Sequence, residues 1–257
     1  MPQINPCHLE DIEADLAKSQ SDLSFVFYTC SDTNIGLVRT TNEDAFYVDE
    51  KKGLWLVADG MGGQLRGDKA SASVIDNIRS FTPLETLTES IKDLETRFLL
   101  ANNTCRNMYG KKVVGSTVAA LFAYRSLAIF LWAGDSRIYR LRDGLLALMT
   151  EDHCLAQERF RRGEISRDEA QLLPSANVLT RAIGIHQNLR IEMQSAVIQS
   201  GDRYLISSDG LYREFAFDEV QNMLRGNAPE KILKKITCQA LERGGKDNIT
   251  GILMTVS

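Results

Sequence analysis

The sequence is short of histidine, has no paired cysteines, carries no basic excess and contains no long apolar run. Each shortage removes a class of function. With three histidines and no HExxH motif, a zinc hydrolase of that kind is excluded. Cys7, Cys30, Cys105, Cys154 and Cys238 lie far apart without the CxxC spacing of a zinc or redox site, so free thiols in a reducing compartment are expected. A formal charge of -4 argues against a nucleic-acid partner, which would call for a basic stripe. No stretch approaches the roughly 18 apolar residues of a membrane-spanning helix, and the polar, acidic opening over residues 1–20 has no apolar leader segment. A cytoplasmic chain without a membrane span is the expectation.

What remains is an ordinary globular composition: 257 residues, 44% hydrophobic and 25% charged, enough for one or two domains. Residues 8–18 set Leu9, Ile12 and Leu16 at helical spacing among Glu10, Asp11, Glu13 and Asp15. This predicts an acidic amphipathic helix whose apolar stripe packs on the domain, with a partner-binding arm as the other reading. From Phe25 the pattern changes. Residues 25–30 read as a strand, 31–36 as a turn-forming stretch, and 45–48 and 54–58 as further strands. Helices are predicted over 68–80 and 84–108, separated at Pro83. Short apolar runs at 117–124, 127–133, 138–141 and 145–149 predict an antiparallel meander. A polar, charged insertion follows over 151–177. Strands are then expected at 190–198 and 204–207, helices at 217–224 and 230–242, and a final strand at 249–256.

Runs such as 54–58 and 127–132 are apolar throughout, which means both faces of the strand are covered. Covered antiparallel sheets and long amphipathic helices together predict an α+β fold, a four-layer α/β/β/α sandwich with two central antiparallel sheets flanked by helices.

Three apolar strands end on an acid, at Ala58-Asp59-Gly60, Gly134-Asp135-Ser136 and Ser208-Asp209-Gly210. Two others begin just after one, at Glu43-Asp44 and at Asp247-Asn248. In an antiparallel sheet the end of one strand lies beside the start of its neighbour, so these acids can share one rim. Each alone reads as a solvated turn; the repeated placement argues for convergence. Like charges about 4 Å apart repel by roughly 4 kcal/mol at an effective dielectric of about 20, so converging acids need cations. An all-oxygen ligand set selects magnesium, manganese or calcium over zinc. The glycines of Asp59-Gly60-Met61-Gly62-Gly63 would let a ligand or a neighbouring loop approach the backbone.

Arg39-x-x-Asn42-Glu43-Asp44, Val57-Ala58-Asp59-Gly60-Met61-Gly62-Gly63, Gly115-Ser116-Thr117, Ala133-Gly134-Asp135-Ser136-Arg137, Ser207-Ser208-Asp209-Gly210 and Gly245-x-Asp247-Asn248 stand in a recognisable order and spacing. In these motifs the chain resembles the bacterial metal-dependent protein phosphatases of type 2C over residues 25–257. The resemblance implies one phosphatase domain there, with a flap at about 151–177, and leaves the acidic helical extension over 1–24 outside it. It implies hydrolysis of phosphoserine and phosphothreonine by direct attack of a water that bridges two Mn2+ or Mg2+ ions. Asp59 would bridge the ions, with the Gly60 carbonyl on one of them and Asp209 and Asp247 completing that shell. Glu43 and Asp44 would hold the second ion largely through water, and Asp135 with Asp209 a third, weaker ion. Arg39 would grip the phosphate through its planar fork.

Partners implied are phosphorylated proteins and the serine/threonine kinase that modifies them, and a monomer is expected. Met61 stands where eukaryotic relatives carry the histidine thought to protonate the leaving group, so a water or another group must do so here. His153, in the family's Asp-His motif, is expected to be structural. Asn34 stands where relatives often have Asp, and Leu173-Pro174 where they often have His-Pro; neither touches a metal ligand. The flap, with Arg161 and Arg162, is the candidate for substrate choice. The stretch over 53–71 is similar to phosphatases that accompany type VI secretion kinases. A non-catalytic phosphoprotein-binding member is the competing reading. A P-loop nucleotide binder fails because Asp247 follows Gly245-Lys246 and no glycine stands upstream where one is required.

Overall fold

In a computed structural model that describes residues 9, 12–13, 25–62, 66–108, 113–166, 169–170, 173 and 178–257, the apolar runs become the strands of two antiparallel sheets. The first holds Phe27–Asn34 (β1), Arg137–Arg142 (β7), Leu145–Leu148 (β8), Arg203–Ser207 (β10) and Ile249–Val256 (β11), in the order β1-β11-β10-β7-β8. The second runs Asp44–Asp49 (β2), Leu54–Met61 (β3), Val118–Tyr124 (β5), Leu127–Ala133 (β6) and Glu192–Val197 (β9), with Gly115–Ser116 (β4) paired to the end of β3.

Successive side chains of a strand point to opposite faces, so each inner strand feeds two cores. Trp55, Val57, Phe130 and Trp132 meet Ile206, Ile252 and Met254 between the sheets. Leu54, Leu56, Ile129 and Leu131 face the other way, under Gly67–Arg79 (α1) and Leu87–Asn107 (α2). On the opposite outer face Leu205, Ile249 and Leu253 pack under Phe217–Leu224 (α5) and Pro229–Glu242 (α6). The result is the expected four-layer α/β/β/α sandwich. Local chemistry sets the boundaries: Thr86 accepts a hydrogen bond from the Glu89 amide at the start of α2, and Pro229 opens α6 where its missing N–H is harmless.

Three segments depart from the expectation. Ser31 to Asn34 are not a turn but the second half of β1, paired residue by residue with Ile252 to Ile249 of β11. The polar side chains disguise a strand whose pairing comes from the far end of the chain, and the turn itself begins only at Ile35. Its Gly36 has φ +83°, and a Cβ there would sit 2.3 Å from the Asp247 carbonyl oxygen. Gly115–Ser116 and the one-turn helix Asp209–Tyr212 (α4) are both too short to show periodicity.

Of the amphipathic helix expected over 8–18, Leu9, Ile12 and Glu13 are described, and they are helical. Leu9 is buried and Ile12 packs on the same core. Glu13 accepts hydrogen bonds from the Leu87 amide and the Thr88 hydroxyl, which places its carboxylate at the positive end of α2. The remainder of that helix lies outside the described residues, as do 167–168, 171–172 and 174–177 of the insertion. The described part of the insertion contains Leu155–Arg161 (α3).

At the start of the insertion, His153 stacks on Trp132 at 6.0 Å with an interplanar angle of 9°. The Gly134 amide donates to His153 Nδ1, and His153 Nε2 lies 3.2 Å from Arg181 Nη1 and 3.6 Å from Glu192 Oε1. Arg181 donates to the same oxygen at 2.6 Å. Burial alone would raise the Glu192 pKa, but the close contacts of His153 and Arg181 outweigh it and hold the value at about 2. That lies below an unfolded glutamate, so the stabilisation is complete above about pH 4.3 and is lost as pH falls toward the folded value. Glu192→Gln is expected to lower unfolding free energy by about 2 to 3 kcal/mol at pH 7 and to flatten the acid limb below about pH 4. Denaturant titrations at a series of pH values check both.

Candidate metal and phosphate site

The strand ends do converge, because the two sheets present their acid-bearing ends at one edge of the sandwich. Asp44 and Asp59 are directly paired residues of β2 and β3 in one sheet. Asp209 follows β10 and Asp247 precedes β11 in the other. A Cβ on Gly210 would lie 2.1 Å from the Asn248 carbonyl oxygen and 3.1 Å from the Asp247 Cβ, so only glycine lets these two loops touch. Asp59, Glu43, Gly60, Met61, Asp135, Asp209, Asp247 and Arg39 line a cleft of about 490 Å³. Asp44 sits beneath it.

Backbone hydrogen bonds lock the central acid. The Asp59 amide donates to Thr117 Oγ1, and the Asp59 carbonyl accepts from the Thr117 amide and the Ser116 hydroxyl. Thr117 Oγ1 in turn lies 2.7 Å from Ser136 Oγ, which ties the Asp59 loop to the Asp135 loop. The Gly60 amide donates to the Glu43 carbonyl, and a Cβ on Gly60 would meet the Gly67 carbonyl oxygen at 2.0 Å. Glu43 Oε1 accepts from the Gly67 amide at 3.0 Å, where α1 begins. Asn248 donates to the Ile35 and Thr41 carbonyls and accepts from the Glu43 amide, so the loop carrying Arg39 and Glu43 is fastened beside Asp247.

Cations balance part of the charge. Arg39 Nη2 lies 2.6 Å from Asp247 Oδ2, with 52% of its side chain exposed at the cleft mouth. Arg213 pairs with both Asp135 and Asp209 at 2.8 Å. Sequence reasoning missed Arg213; the i,i+4 spacing from Asp209 was a usable signal only once α4 was known to be helical. It also missed the supporting hydroxyl of Ser208, which donates to Asp44 Oδ2 at 2.8 Å.

These contacts do not finish the task. Burial, then the charges of Asp44, Asp209, Asp135 and Asp247, push the Asp59 pKa well above the usual carboxylate range. Burial raises Asp44 to about 7 against the lowering effect of the nearby Thr250 and Ser208 hydroxyls. Burial and the Asp209 charge raise Asp135 to about 7 despite Arg213. Asp44 Oδ1 is buried and has no hydrogen-bond partner, a condition that native structures seldom tolerate. An all-oxygen set that repels itself and holds an orphaned carboxylate oxygen fits hard divalent cations. Among the described residues no group of three or more acidic, histidine or cysteine side chains is placed to hold a metal ion by itself, and ions that keep most of their water need few direct protein ligands.

Every acid expected at the rim is therefore found at or beneath one cleft, together with Arg39 and Met61. Gly63, the last residue of the glycine stretch, lies outside the described residues. His153 does not line the cleft and is buried against Trp132 and the Gly134 amide, which suits the structural place expected of it.

Comparison with known proteins gives a consistent picture. The family model for protein phosphatase 2C matches residues 38–253. The serine/threonine phosphatase stp of Listeria monocytogenes is 33% identical over 238 residues, spanning 86% of this chain and 93% of that protein. The structure of PppA, a key regulatory component of T6SS in Pseudomonas aeruginosa, aligns with a TM-score of 0.82 at 34% identity, over 91% of this chain and 100% of that one. The catalytic domain of the phosphatase PstP, solved in complex with two manganese ions, aligns with a TM-score of 0.80 at 27% identity, over 91% and 99% of the two chains. The chain belongs to the protein phosphatase 2C family.

Proposed function

We propose that the cleft bounded by Asp59, Asp209, Asp247 and Arg39 is the active site of this protein, and that the acids beneath Arg39 hold two Mn2+ or Mg2+ ions. The chain is a metal-dependent protein-serine/threonine phosphatase that acts on phosphoproteins. The observation that carries the site assignment is the convergence of strand-end carboxylates from both sheets on one cleft, with the Asp44 oxygen left unpartnered.

In this reading Asp59, the Gly60 carbonyl, Asp209 and Asp247 would hold one ion, and Asp59, Glu43 and Asp44 would hold the other. When bound, such ions acidify water and offset charge on a phosphoryl group. The chain supplies the rest. The clamp from Ser116 and Thr117 fixes Asp59, and the Glu43 carboxylate is held by the Gly67 amide rather than left to swing. Arg39, half-exposed and tethered by Asp247, presents the remaining N–H groups of its fork to the phosphate. Met61 offers no proton, so the leaving alkoxide takes one from water. A third ion would have to draw Asp135 and Asp209 away from Arg213.

The non-catalytic reading is not favoured, since each acid named for the two ions reaches the cleft or lies beneath it. A serine/threonine kinase is the opposing partner, the active unit is a monomer, and the compartment is the cytoplasm. Among the described residues no helix is long and apolar enough to cross a membrane. The likeness to PppA supports a role in type VI secretion control. Substrate choice belongs to the insertion over 151–177. Arg161 and Arg162 are exposed there but already pair with Glu151, Glu158 and Glu164, which weakens their claim to an acidic partner.

Phosphate release from phosphothreonine peptides is expected to require manganese or magnesium, to stop in EDTA, and to fall about 100-fold or more in kcat in Asp209→Asn. Undiminished turnover in either case would sink the assignment. Arg39→Ala is expected to raise KM about tenfold, with Arg39→Lys recovering only part of it, because an ammonium cannot reproduce the planar fork. Steady-state kinetics on the two variants separates phosphate binding from a purely structural tether to Asp247.

A further inference from the structure

Asp135 and Asp209 are the two donors that the family resemblance assigns to a third ion, and in this chain a side chain bridges them. Arg213 Nη2 lies 2.8 Å from Asp135 Oδ2 and Arg213 Nη1 lies 2.8 Å from Asp209 Oδ2. The bridge is built in from several sides. Arg213 follows Asp209 by one helical turn through α4, and its amide donates to the Asp209 carbonyl at 3.0 Å. The neighbouring Tyr212 hydroxyl donates to the Asp135 carbonyl at 2.9 Å. The Arg137 guanidinium covers the Tyr212 ring at 3.9 Å, and Arg137 is itself held by two bonds to Asp152. Asp135 is only 4% exposed, so its charge needs a close and permanent partner. A guanidinium is planar, weakly hydrated and charged at every accessible pH, which suits the span between two carboxylates better than a lysine.

We propose that Arg213 takes the place of the third ion in this chain, its guanidinium supplying fixed positive charge between Asp135 and Asp209 so that the centre holds two ions only. The proposal rests on the two-ion reading of the cleft. Its consequence is a phosphatase whose activity saturates with the core pair of ions and shows no further activation as manganese rises. In place of an exchangeable cation, the far wall of the cleft carries a covalently attached one that chelators cannot remove.

The test counts manganese bound to the full chain after equilibrium dialysis against millimolar MnCl2. Wild type is expected to hold two ions per chain. Arg213→Ala, checked for folding by circular dichroism, is expected to hold three, and the double variant Arg213→Ala with Asp135→Asn to return to two. Arg213→Lys, which keeps the charge, stays at two. Anomalous scattering from wild-type crystals grown in manganese gives a readout that needs no variant: two peaks, with the guanidinium between the two acids. Three ions in the wild type, or a folded Arg213→Ala that stays at two, overturns the proposal. A wild type that binds none overturns the two-ion reading too, so the two failures are distinguishable.

Discussion

The whole site depends on carboxylates that repel one another. Asp44 and Asp59 come from one sheet and Asp209 and Asp247 from the other, and the fold forces them together at one edge. At separations of about 4 Å each uncompensated pair costs roughly 4 kcal/mol at an effective dielectric of about 20. The protein offsets part of this with Arg39 on Asp247, Arg213 on Asp135 and Asp209, and the Ser208 hydroxyl on Asp44. The remainder shows as the raised pKa values of Asp59, Asp44 and Asp135, in which burial is the largest cause. A centre left short of positive charge in this way is a centre that recruits divalent ions.

Such a cluster survives only on a scaffold that does not yield. Two sheets with both faces covered supply it, since Trp55, Phe130, Ile206 and Ile252 lock the sheets together while α1, α2, α5 and α6 close the outer faces. Rigidity at the rim comes from close backbone approach. Gly60 against Gly67, Gly210 against Asn248, and Gly36 against Asp247 are all contacts that a Cβ would block. The glycines around the acids thus serve packing between loops as much as access by a ligand. The pairing of β1 with β11 joins the two ends of the domain and fixes Asp247 relative to the loop that carries Arg39 and Glu43.

Much of this was legible in the residues. Uniformly apolar runs such as 54–58 declared strands buried on both faces, and from them the layers follow. The rim acids were legible because each stands at the end of such a run, where an antiparallel sheet leaves little freedom. Ser31 to Asn34 were misread as a turn because their polar side chains mask a strand whose partner lies more than 200 residues away, with Ser31 opposite Ile252. Arg213 was illegible for a different reason. Its role depends on one turn of helix after Asp209, too short to leave a periodic signal, and on Tyr212 reaching the Asp135 backbone from a distant strand end. The orphaned Asp44 oxygen likewise has no counterpart in a motif; only packing creates it.

A carboxyl whose pKa is raised on folding subtracts stability at neutral pH, so charge repulsion at the centre has a thermodynamic signature independent of catalysis. The most direct measurement is the melting temperature of wild type and Asp59→Asn, each with EDTA and with saturating manganese. The account predicts that Asp59→Asn melts above the wild type in EDTA, because a repelling charge is gone, and that the rise manganese gives the wild type is largely lost. A variant that melts below the wild type in EDTA and keeps the full manganese response would contradict it.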